Sequence, residues 1–132
     1  MKLEEIHRRF EKDRFAILCG MSIDEIGEGY AKVSMTAQDK HLNGVDIVQG
    51  GVLFTLADLA LACASNSHGP VALALQASIS YLKPAGKGAL SAVAREISLK
   101  KRIGVYQVEV SDTDGLCAIM TGTVYRKEQE KV

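Results

Sequence analysis

The stretch Gln49-Gly50-Gly51-Val52-Leu53-Phe54-Thr55-Leu56-Ala57-Asp58-Leu59-Ala60-Leu61-Ala62-Cys63-Ala64-Ser65 decides the fold. From Gly51 to about Ser65 it is rich in Leu and Ala and carries a single charge, Asp58. Such a run reads as a helix that is apolar nearly all round, so it is expected to be enclosed by protein rather than laid on a surface. Asn66, Gly69 and Pro70 then accumulate and end it.

Outward from this helix the texture changes on both sides. Downstream, strands are expected at about Val71 to Leu82, Ala89 to Leu99, Val105 to Ser111 and Leu116 to Tyr125. Their separators are Pro84-Ala85-Gly86, the Lys100-Lys101-Arg102 turn with Gly104, and Asp112-Thr113-Asp114-Gly115. Upstream, Met21, Ile23 and Ile26, then Ala31, Val33 and Met35, alternate on either side of Gly27-Glu28-Gly29 and read as a hairpin. Leu3, Ile6 and Phe10 form one stripe of an amphipathic helix spanning Lys2 to about Asp13, and a polar tail follows Arg126. The order is helix, two strands, long helix, four strands. One antiparallel sheet wrapped around one central helix is the simplest α+β layering that buries it, as a single domain over residues 1–132.

Composition narrows the function. The 132 residues are 47% hydrophobic and 24% charged, with 16 basic side chains against 16 acidic ones, so no electrostatic footprint for nucleic acid exists. Aromatic residues make up 5% and tryptophan is absent, which argues against base-stacking platforms. Met1 to Arg14 is dense in charge where a signal peptide needs an apolar run, so a cytoplasmic location is expected. The uncharged stretch from Leu59 to Leu82 is broken by Asn66 to Pro70, which argues against a membrane span. Cys19, Cys63 and Cys117 are odd in number and widely spaced, and read as free thiols in a reducing compartment. His7, His41 and His68 are scattered with no H-x-x-x-H or Cys/His cluster, so no metal is expected.

Three motifs at fixed separations then become recognisable: Leu42-Asn43-Gly44, the Gln49 to Asp58 segment, and Ser80-Tyr81-Leu82-Lys83-Pro84-Ala85. The pattern resembles the hotdog-fold acyl-CoA thioesterases, specifically the phenylacetic-acid-degradation (PaaI-type) branch. The resemblance implies hydrolysis of an acyl-CoA thioester, with no cofactor beyond the coenzyme A of the substrate. It makes Asp58 the nucleophile or general base, assigns the carbonyl-polarising backbone amide to Gly50, and brings Asn43 near the thioester. It also favours phenylacetyl or hydroxylated phenylacetyl esters, with medium-chain acyl groups as the other substrate class. The family usually has histidine before the two glycines, where this sequence has Gln49. Glutamine can orient a carbonyl by hydrogen bonding but cannot carry a proton.

Elementary chemistry points the same way. The first N–H groups of a helix lack partners and sit at the positive end of its dipole, and Gly50 and Gly51 leave that end bare of side chains. A thioester oxygen gaining negative charge would be stabilised there. Asp58 is the only charge between Asp46 and Lys83, and its functional reading stands beside the alternative of a carboxylate neutralised by a neighbouring strand. Eight residues of helix rise roughly 12 Å, so Gly50 and Asp58 of one chain cannot touch the same thioester. They serve one carbonyl only if two helices run antiparallel across a two-fold axis. A homodimer is therefore expected, and the resemblance extends this to a homotetramer.

Other residues complete the set. Ala72, Ala74, Gln76, Ser78 and Ser80 alternate as one face of small side chains, which would either line an acyl pocket with Gln76 on the substrate or form the solvent-facing side of the strand. Lys101 and Arg102 with Lys100 form the only basic triplet; with Lys83 and Arg126 at the same rim it would meet the coenzyme A phosphates, and a solvated hairpin turn explains the same residues equally well. Two other function classes stay open: an acyl-CoA-binding hotdog without turnover, made credible by Gln49, and a hydroxyacyl thioester dehydratase, which would need a histidine near the helix start. No G-x-S-x-G elbow, P-loop or G-x-G-x-x-G is present.

Overall fold

The computed structural model describes residues 3–127. The expected start of the first helix at Lys2 and the tail beyond residue 127 lie outside the described residues. The elements run α1 (Leu3–Phe10), α2 (Arg14–Leu18), β1 (Ser22–Gly27), β2 (Tyr30–Ala37), a 3-10 turn (Asp39–His41), α3 (Gly50–Asn66), β3 (Ala72–Tyr81), β4 (Gly88–Leu99), β5 (Ile103–Asp112) and β6 (Gly115–Arg126). All strand pairs are antiparallel, in the order β1-β2-β4-β5-β6-β3. This is the hotdog architecture, a sheet curled around the long helix.

Two short elements differ from expectation. The first helix stops at Phe10, and a new one starts because Asp13 caps it, its carboxylate accepting the Ala16 N–H at 3.0 Å. The 3-10 turn forms around His41, which is 5% exposed. His41 Nδ1 accepts the Gln38 N–H at 2.9 Å, so Nε2 carries the proton and donates to the Cys19 carbonyl at 3.0 Å. The His41 carbonyl in turn accepts the Gln49 N–H at 2.9 Å and so fixes the direction from which the chain enters α3.

The core lies between α3 and the concave side of the sheet. Leu56, Ala57, Ala60, Cys63 and Ala64 are fully buried against Val33, Leu90, Val108 and Met120. At Gly122 the sheet backbone comes close to α3, and a methyl group there would stand 2.6 Å from Leu61 Cδ2. At the C-terminal end of α3, Ser67 Oγ accepts the Gly29 N–H at 2.8 Å. Beside it Glu96 binds His68 Nε2 at 2.7 Å and the Tyr106 hydroxyl at 2.8 Å. Burial alone would raise the Glu96 pKa, but these hydrogen bonds outweigh it and hold the carboxyl below its usual range.

The helix is not enclosed on every side. Gly51 and Asp58 are exposed, and Val52, Phe54, Thr55 and Ala62 are half-buried, so one stripe of α3 stays open. The sheet closes only partway round, and the open stripe lies beside β3, which pairs with β6 alone and has a free outer edge. Exposed Leu73 and Leu75 add apolar surface to that edge.

Candidate active site

The N-terminus of α3 is built from outside the helix. Gln49 is the N-cap residue but makes no side-chain capping bond, and its carbonyl accepts the Val52 N–H at 2.9 Å. Among the described residues nothing accepts from the Gly50 or Gly51 N–H, so both remain as donors at the positive end of the helix. This end is not bare, contrary to expectation. A methyl at Gly50 would stand 3.1 Å from Tyr81 Cζ, and one at Gly51 would stand 2.5 Å from Gln49 Oε1. The glycines let two side chains close in from the flanks while the N–H groups stay free.

In front of this end lies a recess of about 370 Å³ that holds Asn43, Gly50, Leu53, Tyr81 and Lys83. The structure thus brings Asn43 and Gly50 together. Asn43 Oδ1 accepts the Val45 N–H at 2.9 Å and the Ile47 N–H at 3.3 Å, so this oxygen folds the loop and the side-chain NH2 is left to meet a ligand. Gln49 is exposed beside the recess. Tyr81 stood in a recognisable motif without an assigned role, yet its hydroxyl donates to the Gly50 carbonyl at 3.0 Å.

Asp58 stands two turns further along α3, in a second recess of about 380 Å³ walled by Phe10, Leu61, Val71, Leu73 and Val124, with Arg9 at its edge. No property of Arg9 or Phe10 beyond the amphipathic stripe of α1 signals this placement in sequence. The carboxylate is reachable by solvent, but the apolar walls strip part of its hydration. Its pKa is raised, first by this desolvation and then by the charge of Asp13. Asp58 therefore lies in a different recess from Gly50 within one chain, as the rise of the helix requires.

Three placements correct the sequence reading. The first concerns β3, where a bulge between Ala74 and Gln76 shifts the register against β6. Ala72 and Ala74 pair with Arg126 and Val124, while Ala77, Ile79 and Tyr81 pair with Gly122, Met120 and Ala118. Those partners turn toward α3, so Gln76, which pairs with Thr123, and Ser78 and Ser80 fall on the other side. Gln76 lines neither recess.

The second correction is Lys83. It pairs with Asp112 at 2.7 Å, at the opposite end of β5 from Lys101 and Arg102, and so does not share their rim within the chain. Ten residues of strand separate the two ends by roughly 30 Å. Arg126 does join the triplet, its guanidinium donating to the Lys100 carbonyl at 3.2 Å and its N–H to the Arg102 carbonyl at 2.6 Å. The third is the open stripe of α3, described above. Cys63 behaves as a buried thiol, its pKa pushed up to about 12 chiefly by burial, and burial also raises that of Cys117.

The sheet wrapped on a helix, with free N–H donors at the start of that helix and a carboxylate further along it, is the architecture of the hotdog fold, and comparison with known proteins makes it that of a thioester hydrolase. The model of the thioesterase superfamily matches residues 46–119, and the chain belongs to that superfamily. It is 39% identical over 108 residues to the acyl-coenzyme A thioesterase PaaI of Escherichia coli, covering 81% of this chain and 77% of that protein. A provisionally named esterase of Archaeoglobus fulgidus is 43% identical over 123 residues, covering 92% and 80%. The solved structure of the E. coli PaaI protein from the phenylacetic acid degradation operon superposes with a TM-score of 0.89 at 36% identity, covering 92% of this chain and 90% of that one. Among the described residues no helix is long and apolar enough to cross a membrane.

Proposed function

We propose that the protein hydrolyses acyl-CoA thioesters, with phenylacetyl or hydroxyphenylacetyl esters or medium-chain acyl groups as substrates, in a homodimer whose two active sites are shared between subunits. The observation that carries this reading is the position of the two recesses along β3. The Gly50 recess lies at the Tyr81 end of that strand and the Asp58 recess at its Val71 to Ala74 end. Antiparallel pairing of two free β3 edges would set the Tyr81 end of one chain beside the Val71 end of the next, covering the exposed edge. A thioester placed at that junction meets Gly50 from one subunit and Asp58 from the other. The same pairing carries the basic turn of the second chain toward Lys83 of the first, because Lys127 N–H donates to the Val71 carbonyl at 2.7 Å and Arg126 adjoins Arg102. Lys83, Lys101 and Arg102 would then face the phosphates of coenzyme A together.

In this mechanism the Gly50 and Gly51 N–H groups bind the carbonyl oxygen as it gains negative charge, and Asn43 and Gln49 hold the thioester in place. Asp58 acts in one of two ways. As a base it takes a proton from water while the water oxygen bonds to the thioester carbon; as a nucleophile it forms an anhydride that water then opens. Either way the C–S bond breaks. In the base route Asp58 passes the proton it took to the leaving sulfur. In the anhydride route coenzyme A leaves as a thiolate that takes a proton from solvent, while the water that opens the anhydride gives one up. The raised Asp58 pKa suits the base role, since a more basic carboxylate accepts a proton more readily.

The test is thiol release from a panel of aryl and alkyl CoA esters, comparing wild type with Asp58→Asn. The variant is expected to lose at least about 100-fold in kcat while still binding substrate. Binding by both proteins with release by neither would replace this reading with that of a non-catalytic binding module, which the absence of a titratable ring at Gln49 would favour.

A further inference from the structure

Thr55 Oγ1 donates to the Gly51 carbonyl from within α3 at 2.8 Å, and the Tyr81 phenol donates to the first turn of α3 from another element, at 3.0 Å. Its acceptor is the Gly50 carbonyl, which shares a rigid peptide plane with the Gly51 N–H. Within that plane the carbonyl oxygen and the amide hydrogen point in opposite directions, so a donor fixed on the oxygen also fixes the direction of the N–H. It further polarises the peptide, which strengthens the N–H as a donor, since hydrogen bonds in series reinforce one another. We propose that Tyr81 is a positioning residue for thioester hydrolysis, its hydroxyl aligning and polarising the Gly50–Gly51 peptide so that the Gly51 N–H acts with the Gly50 N–H on the carbonyl oxygen. This rests on the thioesterase reading above and adds to it a residue that acts through the backbone.

Three features of the surroundings support the assignment. Close approach of the ring depends on glycine at position 50, since any Cβ there would meet Tyr81 Cζ at 3.1 Å and the hydroxyl oxygen at 3.2 Å. The Tyr81 backbone is held in place: it pairs with Ala118, and the next two N–H groups, of Leu82 and Lys83, both donate to the Cys117 carbonyl at 2.8 and 3.3 Å. Finally, the β3 bulge sets the phase that turns Tyr81 toward α3; without the extra residue the alternation would put it on the outer face. The strand whose outer edge is free thus reaches across its own end to the helix terminus that binds the oxyanion.

Tyr81→Phe keeps the ring and removes only the bond. Steady-state kinetics on the best ester of the panel should show kcat lowered about 5- to 10-fold with KM unchanged, and the thermal midpoint should stay that of wild type. An unchanged kcat, or a raised KM with kcat intact, would overturn the assignment, the latter marking Tyr81 as a simple binding contact. A second readout needs no turnover. In 15N-labelled, ligand-free protein the Gly51 amide proton should move upfield in Tyr81→Phe; a resonance that stays in place refutes the polarisation. If wild type itself releases no thiol, the thioesterase reading falls by that result and the catalytic role of Tyr81 with it. The amide resonance would then still decide whether Tyr81 acts on this peptide.

Discussion

Asp58 and Asp13 lie on different helices, yet the charge of one raises the pKa of the other, second only to the desolvation of Asp58 by its own recess. A base must be ionised to accept a proton, so a raised pKa moves the acidic limb of the rate profile to higher pH. Asp13→Asn should move that limb part of the way back. The shift is partial because desolvation, the larger cause, remains. Asparagine still caps α2 through Ala16, so the fold is retained. A kcat profile against pH checks this, and an acidic limb that stays in place would show that the Asp13 charge does not reach Asp58. Sequence marked Asp58 as the one charge in an apolar run, but the source of its perturbation lies forty-five residues upstream and depends on packing alone.

At the scale of elements, the contact between α3 and β6 is set by the missing side chain at Gly122. Leu61 is 1% exposed and fills the space a methyl would need, so it must shift toward the Asp58 recess that it walls, disturbing the packing there. Gly122→Ala should destabilise the fold by about 1–3 kcal/mol, read as a lower denaturation midpoint, and the double variant with Leu61→Ala should lose less than the two single losses added. A midpoint unchanged by Gly122→Ala would mean that the helix lifts freely from the sheet. The strands and α3 were legible within one or two residues because alternation and a Leu/Ala run are local signals. Both α2, begun by one capping aspartate, and the turn around His41 lack a periodic pattern long enough to read. The phase change inside β3 was invisible for a related reason: a bulge is a property of two paired strands, and the alternation from Ala72 to Ser80 runs through it unbroken on paper.

For the whole molecule the question is whether one chain or two make a site. Gly50→Pro removes the N–H of the first helical residue and, through its Cβ, pushes Tyr81 aside, so it disables the donor end of the site, while proline fits the first helical position and the extended Gln49 backbone suits the position before it. Alone, Gly50→Pro and Asp58→Asn should each be nearly inactive. Refolded together in equal amounts they should recover about a quarter of wild-type activity, because half the dimers are mixed and each of those rebuilds one intact site. A mixture as inactive as its parts would show that a site is made within one chain and would remove the case for shared sites.

By itself the sequence determined the kind and order of the principal elements and the family, and it singled out the candidate site residues: a glycine pair opening the helix, an acid two turns on, and an asparagine in the preceding loop. The elements are local statements, readable from periodicity and spacing, and the family was carried by motifs that resemble its own. Only the tertiary structure decided that β3 lies at the far edge beside β6, that one stripe of α3 stays open, that Lys83 pairs with Asp112 away from the basic turn, and that Tyr81 rests on Gly50. Each of those depends on which strands pair and in what register. That choice is made by contacts between residues distant along the chain, and no local pattern encodes it.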